Sequence, residues 1–163
     1  MKDKVVAGLT AGLIAGLVLV ALMSVMPAGG TARSMIGFGA LVGHLPGGRA
    51  GWLVYLLYGV LTGAMFGWLL HARRLASAGA VAGGVAYGIG WWIITGLIVI
   101  PATLGTWPFS PYAVDRVRPV IFPLLLGHAV YGAVLGLVWS RITNRPSSRR
   151  RPEATPLTGR RAA

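Results

Sequence analysis

The chain has 163 residues, 55% of them hydrophobic and only 11% charged, with a formal net charge of +12 and no cysteine. Its mean hydropathy of +0.71 is more than one core of this size can hide, since soluble domains carry about 25% charged residues, so a soluble enzyme is excluded and lipid is the expected solvent. Without thiols there are no disulfides, thiolate metal sites or cysteine nucleophiles.

In chain order, four apolar runs reach the roughly 20 helical residues that a bilayer core requires. They cover residues 5–26, 52–70, 75–100 and 120–139, and no interior position among them is Asp, Glu, Lys or Arg. Backbone polar groups in lipid must be satisfied within the segment, so each run is expected to be a helix. The expected fold is all-α: a four-transmembrane-helix bundle over residues 1–140, followed by a basic tail over 141–163. Lys2 and Lys4 resemble the start of a signal peptide, but the first apolar run is longer than a signal core of 7–15 residues and is expected to be retained. Trp52, Trp107 and Trp139 fall at or near span ends, where amphipathic rings favour the interface.

The outer segments carry two further expectations. Met35–Val42 is apolar enough for a short interfacial helix, and Trp107, Pro108, Phe109, Pro111 and Tyr112 read as an ordered cap. Beyond Trp139 the composition turns to Arg, Pro, Ser and Thr, which cannot bury enough apolar surface to fold alone.

Four spans place the N-terminus, the middle loop and the tail on one side. That side holds Lys2, Lys4, Arg73, Arg74 and the seven arginines between Arg141 and Arg161, against Arg33, Arg49, Arg116 and Arg118 opposite. The positive-inside rule then puts both termini in the cytoplasm, in a multi-pass protein of the cell membrane. The tail lacks interleaved aromatic residues, so anionic lipid headgroups are its expected partner and nucleic acid is not.

The two halves resemble one another. Val25-Met26-Pro27-Ala28 matches Val99-Ile100-Pro101-Ala102, Tyr58-Gly59 with Gly63 matches Tyr131-Gly132 with Gly136, and Tyr55 corresponds to His128. This reads as a duplicated two-helix hairpin with parallel pseudo-two-fold symmetry, a form found in transporters. Small residues recur at four-residue spacing: Gly8, Gly12 and Gly16; Gly59, Gly63 and Gly67; Gly84 and Gly88; Gly132 and Gly136. Such stripes let helix backbones approach in lipid. They serve packing within one bundle or, on an outward face, association with a second copy or a membrane-protein partner.

Ionisable groups inside a span are functional candidates by default, and His128 is the one clear case. Tyr131 and Gly132 follow at i+3 and i+4 on the same helix face, with Tyr55 and Tyr58 as their counterparts on the second span. Two roles are open to His128: a structural hydrogen bond to a neighbouring helix carbonyl or tyrosine, or a part in solute binding. A haem or metal ligand is a lower reading, because His71 and His44 lie outside the spans. The acids Asp3, Asp115 and Glu153 all lie outside the spans too, which removes the carboxylate of most proton-coupled transporters. Phosphate-binding loops, dinucleotide fingerprints and zinc-protease helices are absent, so no catalytic residue and no cofactor are expected.

The run Gly127-His128-Ala129-Val130-Tyr131-Gly132-Ala133-Val134-Leu135-Gly136, with the Val-Met-Pro end of the first span, resembles a family of small four-helix prokaryotic inner-membrane proteins of the YagU type. The likeness covers about residues 5–140. It implies the fold and topology above and no activity. The histidine kinase label carried by some members does not transfer, because this chain has neither an ATP-binding domain nor a phosphoacceptor helix.

Three functions follow as expectations: a non-enzymatic structural, accessory or self-associating bundle; a carrier or channel for a small neutral or anionic solute; and, lower, a haem- or metal-binding component.

Overall fold

The computed structural model describes residues 2–25, 48–73, 75–103, 105, 107–110 and 118–144. Every regular element among them is helical. α1 spans Lys2–Val25, α2 Gly48–Leu69 and α3 Ser77–Trp92; a π-helical stretch, Ile93–Val99, continues α3 into the short α4, Ile100–Thr103; α5 spans Arg118–Thr143. Three stretches, Lys2–Leu22, Ser77–Val99 and Pro123–Thr143, are long and apolar enough to cross a membrane, and α2 contributes a shorter apolar helix over Leu53–Leu69.

The outer surface is apolar, as expected of a helical membrane bundle. Leu13 and Leu17 on α1, Leu53, Leu57 and Leu61 on α2, and Ile94 and Ile98 of the π-helical stretch all face outward. What lies inside is mostly small. Ala7, Ala11, Ala15 and Leu19 form a buried stripe on α1 that packs against Tyr131, Leu135 and Trp139 of α5 and Phe66 of α2.

The glycine stripes lie inside the bundle, in two matching helix pairs. On α1 and α2, a Cβ placed at Gly12 would collide with the carbonyl oxygen of Gly59 and would stand 2.9 Å from the Gly63 Cα. On α3 and α5, a Cβ at Gly84 would overlap the carbonyl of Gly132 and lie 3.1 Å from the Gly136 nitrogen. Gly8 meets Gly63 and Gly67 in the same way, and Gly88 meets His128 and Gly132. Gly16 is looser, its nearest neighbour being a Leu56 methyl at 3.5 Å.

One end of the bundle is tied together by polar contacts. The Lys4 ammonium donates to the Arg73 carbonyl at 2.8 Å and lies 5.7 Å from the centre of the Trp139 ring. The Trp139 indole donates to the Lys4 carbonyl at 3.3 Å, and the Asn144 amide to the Leu75 carbonyl at 3.1 Å. The start of α1, the α2–α3 turn and the end of α5 therefore share this end.

Several expectations need correction. Trp139 is not an interfacial ring: it is 1% exposed, stacked edge-on against Phe66 with centroids 5.8 Å apart. The helices themselves run Ser77–Trp92 and Arg118–Thr143, so Arg141 lies on a helix. The π-helical stretch is not visible in the hydropathy pattern. It lies just before Pro101, which has no N–H to serve the carbonyl of Leu97 four residues earlier. The Phe109 N–H takes that carbonyl instead, at 2.7 Å, and Phe109 adopts a left-handed φ of 65° to do so. This contact pins one point of the expected cap to the helix. Met35–Val42 and the tail beyond Asn144 lie outside the described residues.

The backbone contacts make a sharp prediction. Gly132→Val should force α3 and α5 apart and destabilise the protein by about 1–3 kcal/mol, the usual cost of overpacking. Gly83, beside which a Cβ would meet nothing within 4 Å, should accept alanine with no loss and a gain of up to about 1 kcal/mol from helix propensity. Unfolding in mixed micelles against increasing SDS measures both.

Candidate functional site

The polar side chains singled out above converge where α1, α2, α3 and α5 meet. The two candidate stripes face one another across this point because each tyrosine precedes a glycine that sits in a close helix contact: Tyr58 before Gly59, Tyr131 before Gly132. A tyrosine beside such a contact can extend across the seam between the helix pairs.

Tyr131 does so. Its hydroxyl donates to the Gly59 carbonyl at 2.6 Å and lies 2.9 Å from the Thr62 hydroxyl. Thr62 has the carbonyls of Tyr58 and Gly59 within reach of its single hydrogen, at 2.9 and 3.1 Å. From α3, the Tyr87 hydroxyl donates to the Thr62 carbonyl at 2.6 Å. Thr62 and Tyr131 are buried, and together with Tyr87 they sew α2 to α5 and α3. Sequence reasoning missed Thr62 and Tyr87. The cue available was position: Thr62 falls one turn after Tyr58, on the face that carries the tyrosines.

Tyr58 behaves differently. Its ring meets Trp91 edge-on, with centroids 5.8 Å apart, but its buried hydroxyl has no hydrogen-bond partner. Thr95 lies close enough to interact with it, yet the pair does not reach hydrogen-bond geometry, and Thr95 donates its own hydrogen to the Trp91 carbonyl at 2.6 Å.

His128 bonds within its own helix rather than across to a neighbour as expected. Its Nδ1 lies 2.8 Å from the Leu124 carbonyl. A carbonyl only accepts, so Nδ1 must carry the hydrogen, and in a neutral ring Nε2 is then an acceptor. The bond locks the tautomer. His71 is exposed at the end of α2, with Nδ1 2.6 Å from the Trp68 carbonyl, well away from His128. His44 and Asp115 lie outside the described residues.

Between these groups lies a pocket bordered by Tyr55, Tyr58, Trp91, His128 and Tyr131, with Gly16 and Leu19 closing it from α1. Its walls are almost wholly apolar, and the space inside admits about one water-sized group. Towards the basic end the bundle is closed by Phe66, Leu135 and Trp139, each nearly inaccessible. The three tyrosines and the histidine read from the sequence thus share one small pocket, whereas most of the glycines named with them are helix contacts. Among the described residues no three His, Asp or Glu side chains gather as a metal site would require.

Comparison with family models, with curated proteins and with solved structures finds no match for this chain.

Tyr131 and Tyr58 should respond differently to loss of their hydroxyls. Tyr131→Phe strips the Gly59 carbonyl and Thr62 of a partner and should cost about 0.6–1.7 kcal/mol, the range for interhelical hydrogen bonds in membranes. Tyr58→Phe removes a hydroxyl that bonds to nothing and should change stability by less than about 0.5 kcal/mol. Reversible unfolding in bicelles separates the two.

Proposed function

We propose that this chain is a non-enzymatic membrane scaffold: a four-span helical bundle with both termini in the cytoplasm, of the kind its resemblance to the YagU type implies. The observation that carries the proposal is that its conspicuous chemistry is spent internally. The glycine stripes are consumed in the α1–α2 and α3–α5 contacts, and the hydroxyls of Tyr131, Thr62 and Tyr87 are consumed in joining helices. α2 counts as the fourth span because its 22 residues give about 33 Å of helix at 1.5 Å per residue, enough for a bilayer core. Grouping Lys2, Lys4, Arg73 and Arg141 at the end held by the Lys4 contacts supports a cytoplasmic placement of that end.

The contact register supports a duplicated hairpin. Gly12 meets Gly59 and Gly63 as Gly84 meets Gly132 and Gly136, and Gly8 meets Gly63 as Ala80 meets Gly136. In this register α1 positions recur in α3 after 72 residues (Gly12 to Gly84), whereas the proline motif recurs after 74 (Pro27 to Pro101). The π-helical stretch Ile93–Val99 lies between Gly88 and Pro101, where those two extra residues must be absorbed. Wider π turns absorb insertions of this kind.

A carrier or channel is the second reading, favoured by a pocket that reaches both Tyr58 and His128. Against a channel stands the closed aromatic layer of Phe66 and Trp139 below it. Among the described residues no cation lines that pocket, which disfavours an anionic solute.

Two measurements decide between these readings. In the cysteine-free chain, Arg141→Cys should react with an impermeant maleimide only from the cytoplasmic side and Trp107→Cys only from the opposite side. Purified protein in vesicles should leave the flux of small neutral solutes at the protein-free rate. Flux that His128→Ala abolishes would overturn the scaffold and establish the carrier.

A further inference from the structure

We infer that the basic end of the folded bundle is a docking surface for the phosphate headgroups of anionic phospholipids, distinct from the tail beyond it. The inference rests on the chain lying in a bilayer. It needs neither the scaffold role nor a particular side of the membrane for this end.

The first observation is that three helices bring their cations together. Lys4 of α1 donates to the Arg73 carbonyl at 2.8 Å, so α1 begins against the turn that carries Arg73. The same ammonium lies 5.7 Å from the centre of the Trp139 ring, and Arg141 follows Trp139 by two residues on α5. Lys2 precedes Lys4 by two residues on α1. Segments remote in the chain thus deliver four cations to one end.

The second is the lack of an internal partner for that charge. Lys2, Arg73 and Arg141 are exposed, and among the described residues none of the three forms an ion pair. Asp3, the one carboxylate side chain among the described residues, stands against all four cations. Lys4 commits one ammonium hydrogen to Arg73 out of the three it carries. Such a surface attracts anions, and a guanidinium takes phosphate oxygens in pairs.

The third observation selects lipid over a soluble polyanion. On the outer face of α2, Leu57, Leu61 and Met65 are exposed, and Trp68 and Leu69 are 55% and 57% exposed at the helix end. The Arg73 turn follows at once. An exposed tryptophan at a span end favours the headgroup layer, so apolar surface, amphipathic ring and cation succeed one another in the order of acyl chain, glycerol and phosphate. A soluble acidic partner would match the cations and leave the adjoining apolar surface without a counterpart.

Electron spin resonance of spin-labelled lipids tests the surface in the full chain, reconstituted in nanodiscs of equal parts phosphatidylglycerol and phosphatidylcholine. Labelled phosphatidylglycerol should be favoured over labelled phosphatidylcholine at the protein by at least about threefold, and high salt should reduce that preference. Lys2→Gln, Arg73→Gln and Arg141→Gln combined should bring the ratio close to one. Circular dichroism and thermal stability should hold, because Lys4, which ties this end together, is kept. Arg149→Gln, Arg150→Gln and Arg151→Gln remove equal charge from the tail and should leave most of the preference. Wild-type preference in the first variant, or as large a loss in the second, would overturn the inference. Abolition of the preference by soluble glycerophosphate would mean a phosphate site indifferent to the bilayer and would overturn it too. A chain that stayed dispersed without detergent would sink the bilayer reading and this inference with it, whereas the other outcomes leave that reading standing.

Discussion

Close contact between bare helix backbones is the constraint on which the rest of this molecule depends. In water, two apolar helices are driven together by the surface they hide; between lipid tails that drive vanishes, and packing itself must hold them. Dispersion is small per atom pair and falls steeply with separation, so the gain comes only if backbones approach to touching distance. At Gly12 with Gly59 and at Gly84 with Gly132, the space a Cβ would need is already filled by a facing carbonyl. These approaches also bring Cα–H groups to carbonyl oxygens, contacts that recur at helix interfaces and add modest attraction. Alanine, the smallest alternative, would separate the helices and weaken every contact along the seam.

The two glycine-backed pairs are joined by a different kind of surface. Ala7, Ala11 and Ala15 give α5 room to lie against α1, and the large side chains sit elsewhere: Phe66, Tyr87 and Trp139 form a chain of tilted and edge-on ring contacts. Such geometries suit the ring quadrupoles. Hydrogen bonds from Tyr131 and Tyr87 to backbone oxygens of α2 add direction to that seam. Gly59 can accept from Tyr131 because no side chain shields its carbonyl, so the residue that permits the α1–α2 contact also supplies the acceptor that ties α2 to α5. Packing within the pairs and bonding between them are thus coupled at single positions.

Much of this was legible in the residues. Helical class, approximate spans and the glycine stripes follow from apolar length and four-residue spacing, because lipid leaves a chain few options. The site was half legible. His128, Tyr131, Tyr55 and Tyr58 do share a pocket, two of the tyrosines each being followed by a glycine at a helix contact. The missing part depended on which neighbour each side chain meets. Nothing local distinguishes Trp139, which is buried, from Trp107, which is 86% exposed. Nor could spacing foretell that His128 would turn back to Leu124, or that the proline at 101 would accompany a π-helical stretch rather than simply end a helix.

The contrast between Tyr58 and Tyr131 follows from one further pair of positions. In the register proposed for the duplication, Tyr58 is to Tyr131 as Thr62 is to Leu135, each 73 residues apart (Tyr58 to Tyr131, Thr62 to Leu135). Tyr131 reaches across to a threonine and finds a hydroxyl 2.9 Å away. Tyr58 instead meets Trp91 edge-on, and Leu135, the position matching Thr62 in that register, is wholly buried and has nothing to offer a hydrogen bond. A strictly repeated hairpin would have closed both sides with the same Tyr–Thr pair and left no unmatched donor. With leucine at 135 and histidine, rather than tyrosine, at 128, the proposed repeat departs from identity at two positions, of which His128 lines the pocket. The bonded pair Thr62 and Tyr131 therefore borders the same pocket as Tyr58, whose hydroxyl has no such partner.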